Sequence, residues 1–399
     1  MFKKSFFYIL INYMMQAMNI LLNLIFMKYL TGGQLGSLSL ARTWQQSIDY
    51  SHLGTRFSLD RFIPTSGDEE KKRLLCTVIV ATFVISFLLF LVSVFISGND
   101  LVIVVFNFVG IILAATNVIK SYLRACGLVD RMLKMVVIAQ LMPVTLSTVY
   151  YCISKDFSGY LLVYFLSFFI FFMMFYITER KLICEVLTNY KFVLSTLKDI
   201  VRPSFLLFVN SLFIFLYMVM DRFFIDHYLG RSALGNYSVI TFAFSALMII
   251  PASCAELIFS RVVRQSALKK KKVYIKESML CLGITLIGVV CANIFMGFFI
   301  REFTHYDYLL DLMHLATFAV IPFSLTAIYY HVLNGHDLRN KMIGVSFTVC
   351  VFQVVYYFFL AYTEKMTITN VLYAKLATGW IVILAYFLVL LLSIINKRT

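Results

Sequence analysis

The sequence predicts an all-α integral membrane protein: twelve transmembrane helices in two six-helix lobes of the same orientation around a central cavity, with both termini in the cytoplasm. Three observations predict this fold class. The composition is very apolar, twelve runs of the chain are long enough to cross a bilayer, and short motifs recur at nearly constant spacing between the two halves of the chain.

The composition is typical of a chain embedded in lipid. Of 399 residues, 61% are hydrophobic and only 14% are charged, whereas soluble domains have about 25% charged residues. A helix needs about 20 apolar residues to cross roughly 30 Å of hydrocarbon, because each backbone amide there must be bonded within its own helix. The predicted spans are 5–27, 36–56, 75–96, 101–122, 133–153, 159–178, 204–225, 235–257, 277–299, 310–331, 342–362 and 370–394.

The basic residues predict the orientation of these spans. With a cytoplasmic N-terminus, the inner segments carry 27 Lys and Arg residues and the outer segments carry 6. The positive-inside rule therefore places both termini in the cytoplasm. The formal net charge of +15 follows this topology and favours anionic lipid, rather than nucleic acid, as a partner.

Two motifs recur at equivalent turns of the two halves. An offset of 199 aligns KYLTGGQLGSLS, after span one, with HYLGRSALGNYS, after span seven. An offset of 208 aligns Tyr122, Gly127 and Arg131 with Tyr330, Gly335 and Arg339. Because six spans separate equivalent turns, the halves share one orientation and form a parallel repeat. We expect an N-terminal lobe of residues 1–180, a linker of residues 181–202 and a C-terminal lobe of residues 203–399.

The glycines of the two outer turns suit tight connections that need a positive φ. The linker contains a different pattern. In LTNYKFVLSTLKDIVR, residues 187–202, apolar residues fall on one helical face, and Lys191, Lys198 and Arg202 lie off it. This pattern is typical of an amphipathic helix on the inner leaflet, with a solvated linker as the alternative.

Span two carries a polar stripe. At 100° per residue, its polar residues lie within about 120° of one another; they are Arg42, Gln45, Gln46, Asp49, His52 and Arg56. A charge at bilayer depth costs at least about 2.5 to 3.5 kcal/mol, so these side chains are expected to face a wet cavity or a partner. His52 alone is more typical of a hydrogen-bonding structural residue than of a proton carrier.

Other spans have milder polar faces. Span one has Asn12, Gln16, Asn19 and Asn23 on one side, where amides either line a cavity or join helices to one another. Span seven has Asn210, Tyr217 and Asp221 on one face, and span eight has Thr241, Ser245, Ala252 and Glu256.

Two charged positions near the predicted outer ends have two interpretations each. Lys375 in span twelve either extends to the outer interface or contacts an anion in the cavity. Asp221 and Arg222 either form an interfacial anchor pair or diverge by 100° on the helix, with Asp221 facing the cavity.

The sequence has no motif of a hydrolase, a metalloprotease or a nucleotide-binding phosphate loop. No predicted outer loop exceeds roughly ten residues, and the eight cysteines form no CxxC pair. We therefore expect no enzyme activity, no metal and no cofactor.

The residues around the outer turns carry a family resemblance. Pro203 opens span seven, DRFFIDHYLGRSALGNYS follows it, KYLTGGQLGSLSLA follows span one, and a Tyr-x4-Gly corner precedes spans five and eleven. Together they resemble the O-antigen (Wzx-type) polysaccharide flippases of the multidrug, oligosaccharidyl-lipid and polysaccharide exporter superfamily. The matching positions are Asp221, Arg222, Tyr228, Leu229, Leu234, Gly235, Tyr237 and Ser238.

The resemblance implies two six-helix lobes around a lumen in a multi-pass protein of the bacterial inner membrane. It implies a flippase that moves an undecaprenyl-diphosphate-linked oligosaccharide, the O-antigen repeat unit of lipopolysaccharide, to the outer leaflet by alternating access. Membrane lipid, the O-antigen polymerase and the chain-length machinery are the other partners that it implies.

We assign candidate roles on this basis. Arg42 and Arg56 are expected to bind the diphosphate, and Gln45, Gln46, Asn12 and Asn19 the sugar, with Lys375 as a further anion contact. The ion-coupling candidates are Asp49, Asp221 and Glu256.

Two rival functions remain open. A cation-coupled multidrug antiporter of the same superfamily would favour acidic rather than cationic residues in its lumen. An O-antigen polymerase or membrane glycosyltransferase would need a large outer loop or a catalytic acidic motif.

Overall fold

The computed structural model describes residues 2–98, 100–248, 251, 267–335 and 338–395, and no strand occurs in this part of the chain. The prediction of an all-α protein is confirmed. Nine helical segments of the described chain are long and apolar enough to cross a membrane, and they coincide with predicted spans three to seven and nine to twelve.

The described helices have the following bounds. From the N-terminus they are α1 (Phe2–Tyr29), α2 (Gly32–Asp49), α3 (Thr55–Phe62), α4 (Asp68–Ser97), α5 (Leu101–Ala125), α6 (Val129–Val136), α7 (Met142–Ser154), α8 (Phe157–Thr178) and α9 (Arg180–Asn189). They continue with α10 (Leu194–Leu229), α11 (Arg231–Ile240), α12 (Phe242–Leu247), α13 (Ala267–Phe303), α14 (Leu310–Phe318), α15 (Val320–Gly335), α16 (Arg339–Tyr362) and α17 (Ile368–Ile395).

The chain divides into two compact units. The first contains the chain up to Leu30 together with Ser37–Phe208, and the second contains Thr31–Gly36 together with the chain from Val209 onward. A buried apolar cluster in the first unit includes Leu59, Val118 and Met135. A separate cluster in the second unit includes Tyr217, Phe323 and Tyr386.

Span two, predicted as one helix over 36–56, is not continuous, so the helical periodicity that placed Arg42 to Arg56 on one stripe does not hold over that whole length. Helix α2 ends at Asp49, a 3-10 turn covers Tyr50–His52, and Leu53 and Gly54 have φ angles of 44° and 85°. These left-handed residues interrupt the helix, so the 100° periodicity of α2 does not extend to Arg56. Gly54 is required there, because a Cβ atom would lie 2.9 Å from the Cβ of Phe208.

The linker segment also differs from the expected single amphipathic helix. Residues 190–193 are not helical and separate α9 from α10. Leu194 begins a helix of 36 residues that continues into span seven, with Pro203 inside it. Two ion pairs connect the α9 segment to earlier helices. Glu179, directly before α9, pairs with Arg131 on α6, and Glu185 within α9 pairs with Lys72 on α4.

The two related outer turns pack reciprocally within the second unit. A Cβ atom on Gly36 would lie 1.9 Å from the carbonyl oxygen of Arg231, and one on Gly235 would lie 1.8 Å from that of Gly32. The offset of 199 maps Gly36 onto Gly235 and Gly32 onto Arg231. Gly36 and Gly235 therefore each contact, in the other repeat, the residue equivalent to the one four positions before them in their own repeat. Of the expected positive-φ glycines, Gly230 has that conformation, whereas Gly36 and Gly235 lie inside helices.

Candidate functional site

Arg42 lies near the middle of α2 and contacts neutral groups. Its Nη1 donates a short hydrogen bond to Asn23 Oδ1 on α1, and its guanidinium carbon lies 5.8 Å from the centre of the Phe26 ring. Phe26 is held edge-on by Tyr151 and Tyr160, with ring centres 4.8 and 5.1 Å away. Among the described residues, no carboxylate forms an ion pair with the half-buried Arg42.

The predicted sugar-binding amides lie on the same two helices. Gln45 donates from Nε2 to the hydroxyl of Tyr164 on α8 over 3.1 Å. Gln46 and Asn19 are exposed on the surface of the first unit. Asn12 is part of α1, but its side chain lies outside the described part of the structure.

Asp49 and Arg56 form a two-point ion pair across the break in span two. Arg56 donates from Nη1 to Oδ1 over 3.2 Å and from Nη2 to Oδ2 over 2.8 Å. Asn117 on α5 donates to the same Oδ1 over 2.9 Å, and Gln140 donates to Asn117 over 3.1 Å. The side chains of Asp49 and Arg56 remain 33% and 23% exposed, so solvent can reach this network.

His52 has the structural role expected for it. It is buried, and its Nδ1 accepts a hydrogen bond from the Gly54 amide over 2.8 Å. The ring therefore helps to fix the left-handed turn that brings Arg56 back to Asp49.

The second unit contains a buried ion pair between α17 and α10. Lys375 Nζ lies 2.6 Å from Asp221 Oδ2 and donates to the backbone oxygen of Met218 over 2.9 Å. Tyr237 on α11 donates a short hydrogen bond to the same Oδ2, and the Arg222 amide donates to Oδ1 over 2.9 Å. The side chains of Lys375 and Asp221 are 4% and 0% exposed. Thus Lys375 contacts Asp221 in this structure and does not extend to an interface.

The polar face of span seven lies inside the second unit. Asn210 and Tyr217 are buried like Asp221. Asn210 Oδ1 accepts a hydrogen bond from Ser346 over 2.8 Å, and Ser346 lies 3.1 Å from the hydroxyl of Tyr386. Glu256, the remaining ion-coupling candidate, lies outside the described residues.

Sequence reasoning missed several partners of the charged residues. Gln140 is the single amide of span five, and Asn117 is one of two amides, with Asn107, in the largely apolar span four. Amides in such apolar runs were the available signal. Tyr237 belongs to the motif that carries the family resemblance, but no periodicity relates it to Asp221. No group of three or more His, Cys, Asp or Glu residues able to hold a metal occurs within the described chain.

No protein-family model and no curated protein matches the sequence. Solved structures match over nearly the whole chain. One is the inward-facing conformation of a multidrug resistance MATE family transporter of the MOP superfamily, with a TM-score of 0.72, 14% identity and 96% of each chain covered.

Two further solved structures show the same fold. The outward-facing conformation of a MATE family transporter matches with a TM-score of 0.60 and 15% identity, covering 99% of this chain and 97% of that chain. The eukaryotic MATE transporter AtDTX14 matches with a TM-score of 0.60 and 14% identity, covering 98% of this chain and 96% of that chain. The chain therefore has the fold of the MATE transporters of the MOP superfamily.

Proposed function

We propose that the chain is an alternating-access transporter of the bacterial inner membrane that carries a polyprenyl-diphosphate-linked oligosaccharide, the O-antigen repeat unit, from the inner to the outer leaflet. In this proposal twelve helices form two six-helix lobes around a central cavity, and both termini are cytoplasmic. The fold supports transport rather than enzyme catalysis, because solved proteins of this fold include transporters in inward- and outward-facing conformations.

The balance of charges carries the choice of substrate. Asp49 is paired with Arg56, and Asp221 is paired with Lys375. Arg42 contacts an amide and an aromatic ring instead. Among these five residues, Arg42 is therefore the one whose charge has no oppositely charged partner, and a guanidinium is well suited to bind a phosphate oxygen.

The surroundings of Arg42 suit a saccharide attached to the phosphate. Gln46 and Asn19 are exposed amides, which can both donate to and accept from sugar hydroxyls. Moving those hydroxyls through hydrocarbon without such partners is unfavourable, because each group loses its water. Arg56 can bind the diphosphate only if it gives up its ion pair with Asp49. We therefore assign the primary phosphate contact to Arg42.

A cation-coupled multidrug transporter is the second candidate. It is favoured by the solved structures of this fold, which include multidrug resistance transporters. The two ion pairs argue against it, because neither Asp49 nor Asp221 presents an uncompensated carboxylate to a cationic drug. Asp49 is the more accessible of the two, and it remains our candidate for ion coupling.

Reconstitution distinguishes the two candidates. The purified protein is placed in liposomes that contain a fluorescent polyprenyl-diphosphate-linked oligosaccharide, and a membrane-impermeant quencher measures exchange between leaflets. We expect exchange faster than in protein-free liposomes, and no such increase for a lipid-linked saccharide that lacks the diphosphate.

The drug arm uses the same liposomes with ethidium and an imposed proton or sodium gradient. We expect no gradient-driven ethidium movement. Ethidium movement without exchange of the lipid-linked saccharide would overturn the proposal in favour of the multidrug transporter.

A further inference from the structure

Lys375 has the surroundings of a bound monovalent cation. Its ammonium lies 2.6 Å from a carboxylate oxygen of Asp221, 2.9 Å from the backbone carbonyl oxygen of Met218 and 5.2 Å from the centre of the Phe244 ring. A carboxylate, a carbonyl and an aromatic face are three groups that attract a cation in a buried site.

The carboxylate of Asp221 accepts three hydrogen bonds. Oδ2 accepts hydrogen bonds from Lys375 and Tyr237, and Oδ1 accepts one from the Arg222 amide. The side chain is fully buried. Removing one member of such a buried pair leaves the other charge without compensation, which is strongly unfavourable.

The neighbouring elements supply no other full charge within ion-pair distance of this carboxylate among the described residues. Tyr237 faces it from α11, and Tyr357 from α16 lies close enough to interact electrostatically. Arg222 follows Asp221 on α10 and contacts it through the backbone amide. The charge of Asp221 is therefore balanced by Lys375.

We propose that Lys375 acts as a tethered cation: its ammonium fills a monovalent-cation site built by Asp221, the Met218 carbonyl and Phe244. The second unit then keeps a buried carboxylate without taking sodium or potassium from solution. This inference goes beyond the proposed function, because it holds for any substrate. It also gives Lys375 a role different from a substrate contact.

The test is thermal unfolding of the purified full-length chain, without substrate, in sodium or potassium chloride and in choline chloride of equal ionic strength. The wild-type midpoint should be the same in all three salts. In Lys375→Met the ammonium is gone and most of the side-chain volume remains. A small cation binding in its place should raise the midpoint by about 2 °C relative to choline.

The double variant Lys375→Met with Asp221→Asn is the matched control. It lacks the carboxylate, so its midpoint should again be independent of the cation. A Lys375→Met protein that unfolds at the same temperature in all salts would overturn the inference.

The wild-type protein provides a second measurement if Lys375→Met does not fold. A wild-type midpoint that rises in sodium or potassium, and loses that response in Asp221→Asn, would show that Asp221 binds a free cation and would also overturn the inference. These outcomes are independent of saccharide transport, so they are distinguishable from failure of the proposed function.

Discussion

Asp49 and Arg56 are joined by an ion pair that depends on the break between their helices. In a continuous helix, residues seven apart lie two turns, about 10 Å, from each other along the axis. After the 3-10 turn, the left-handed pair Leu53 and Gly54 changes the direction of the chain. The guanidinium and the carboxylate can then meet through two hydrogen bonds of 3.2 and 2.8 Å.

The first prediction concerns the energy of this pair. In a double-mutant cycle of Asp49→Asn and Arg56→Gln, we expect a coupling energy of about 1 kcal/mol, because both side chains are partly exposed and solvent weakens the attraction. Denaturant unfolding of the four proteins measures it. Strictly additive losses would show that the two-point contact contributes nothing to stability.

The second prediction concerns Gly54. Gly54→Ala should lower the free energy of unfolding by about 2 kcal/mol or more, because alanine meets a strained positive φ and a clash with Phe208. Gly98→Ala is the matched control: its φ is 63°, but no atom lies within 4 Å of the added Cβ. In the control, the free energy of unfolding should fall by only about 1 kcal/mol, because alanine meets the strained positive φ without a steric clash. Equal losses in both variants would contradict the close approach at Gly54.

The third prediction concerns the reciprocal contact of the outer turns. Gly36→Ala and Gly235→Ala should each destabilise the protein by at least about 1 to 3 kcal/mol, because the added methyl group meets a backbone carbonyl. Gly33→Ala is the control, because Gly33 lies in the same helix as Gly36 and has no atom within 4 Å of the added Cβ. Thermal unfolding of the three variants compares them. A Gly33→Ala loss as large as the other two would argue against a specific contact.

The fourth prediction concerns Glu179, whose side chain is 7% exposed and pairs with Arg131. Arg131→Ala should cost about 1 to 2 kcal/mol, because the buried carboxylate loses its partner, while Arg131→Lys should retain part of the contact. The comparison is Lys71→Ala, whose partner Asp68 is 89% exposed. Lys71→Ala should leave the free energy of unfolding, measured in denaturant, unaltered. A larger loss for Lys71→Ala than for Arg131→Ala would show that burial of the carboxylate does not set the cost of losing its partner.

The membrane class and the polar character of span two were predictable from the sequence, because hydropathy and helical periodicity are local properties. Arg42, Gln45 and Asp49 lie on the single helix α2 where that periodicity holds. The position of Arg56 was not predictable from it, because two left-handed residues change the direction of the chain.

The pairing of Lys375 with Asp221 depends on distant segments. Both residues were predictable as charges near the outer ends of their spans, but 154 residues separate them and no local pattern links the two. The contact between the two outer turns was predictable in part. The repeat aligned Gly36 with Gly235, but only the packing shows that neither position has room for a Cβ atom.

Substrate binding by Arg42 variants tests whether Arg42 contacts the diphosphate. Affinity for a polyprenyl-diphosphate-linked oligosaccharide is measured on wild type, Arg42→Ala, Arg42→Lys and the exposed control Arg61→Ala. We expect Arg42→Ala to bind at least about tenfold more weakly, because a charge-assisted contact to phosphate is lost, with Arg42→Lys between it and wild type and Arg61→Ala unchanged. Wild-type affinity in a folded Arg42→Ala protein would show that Arg42 does not contact the diphosphate.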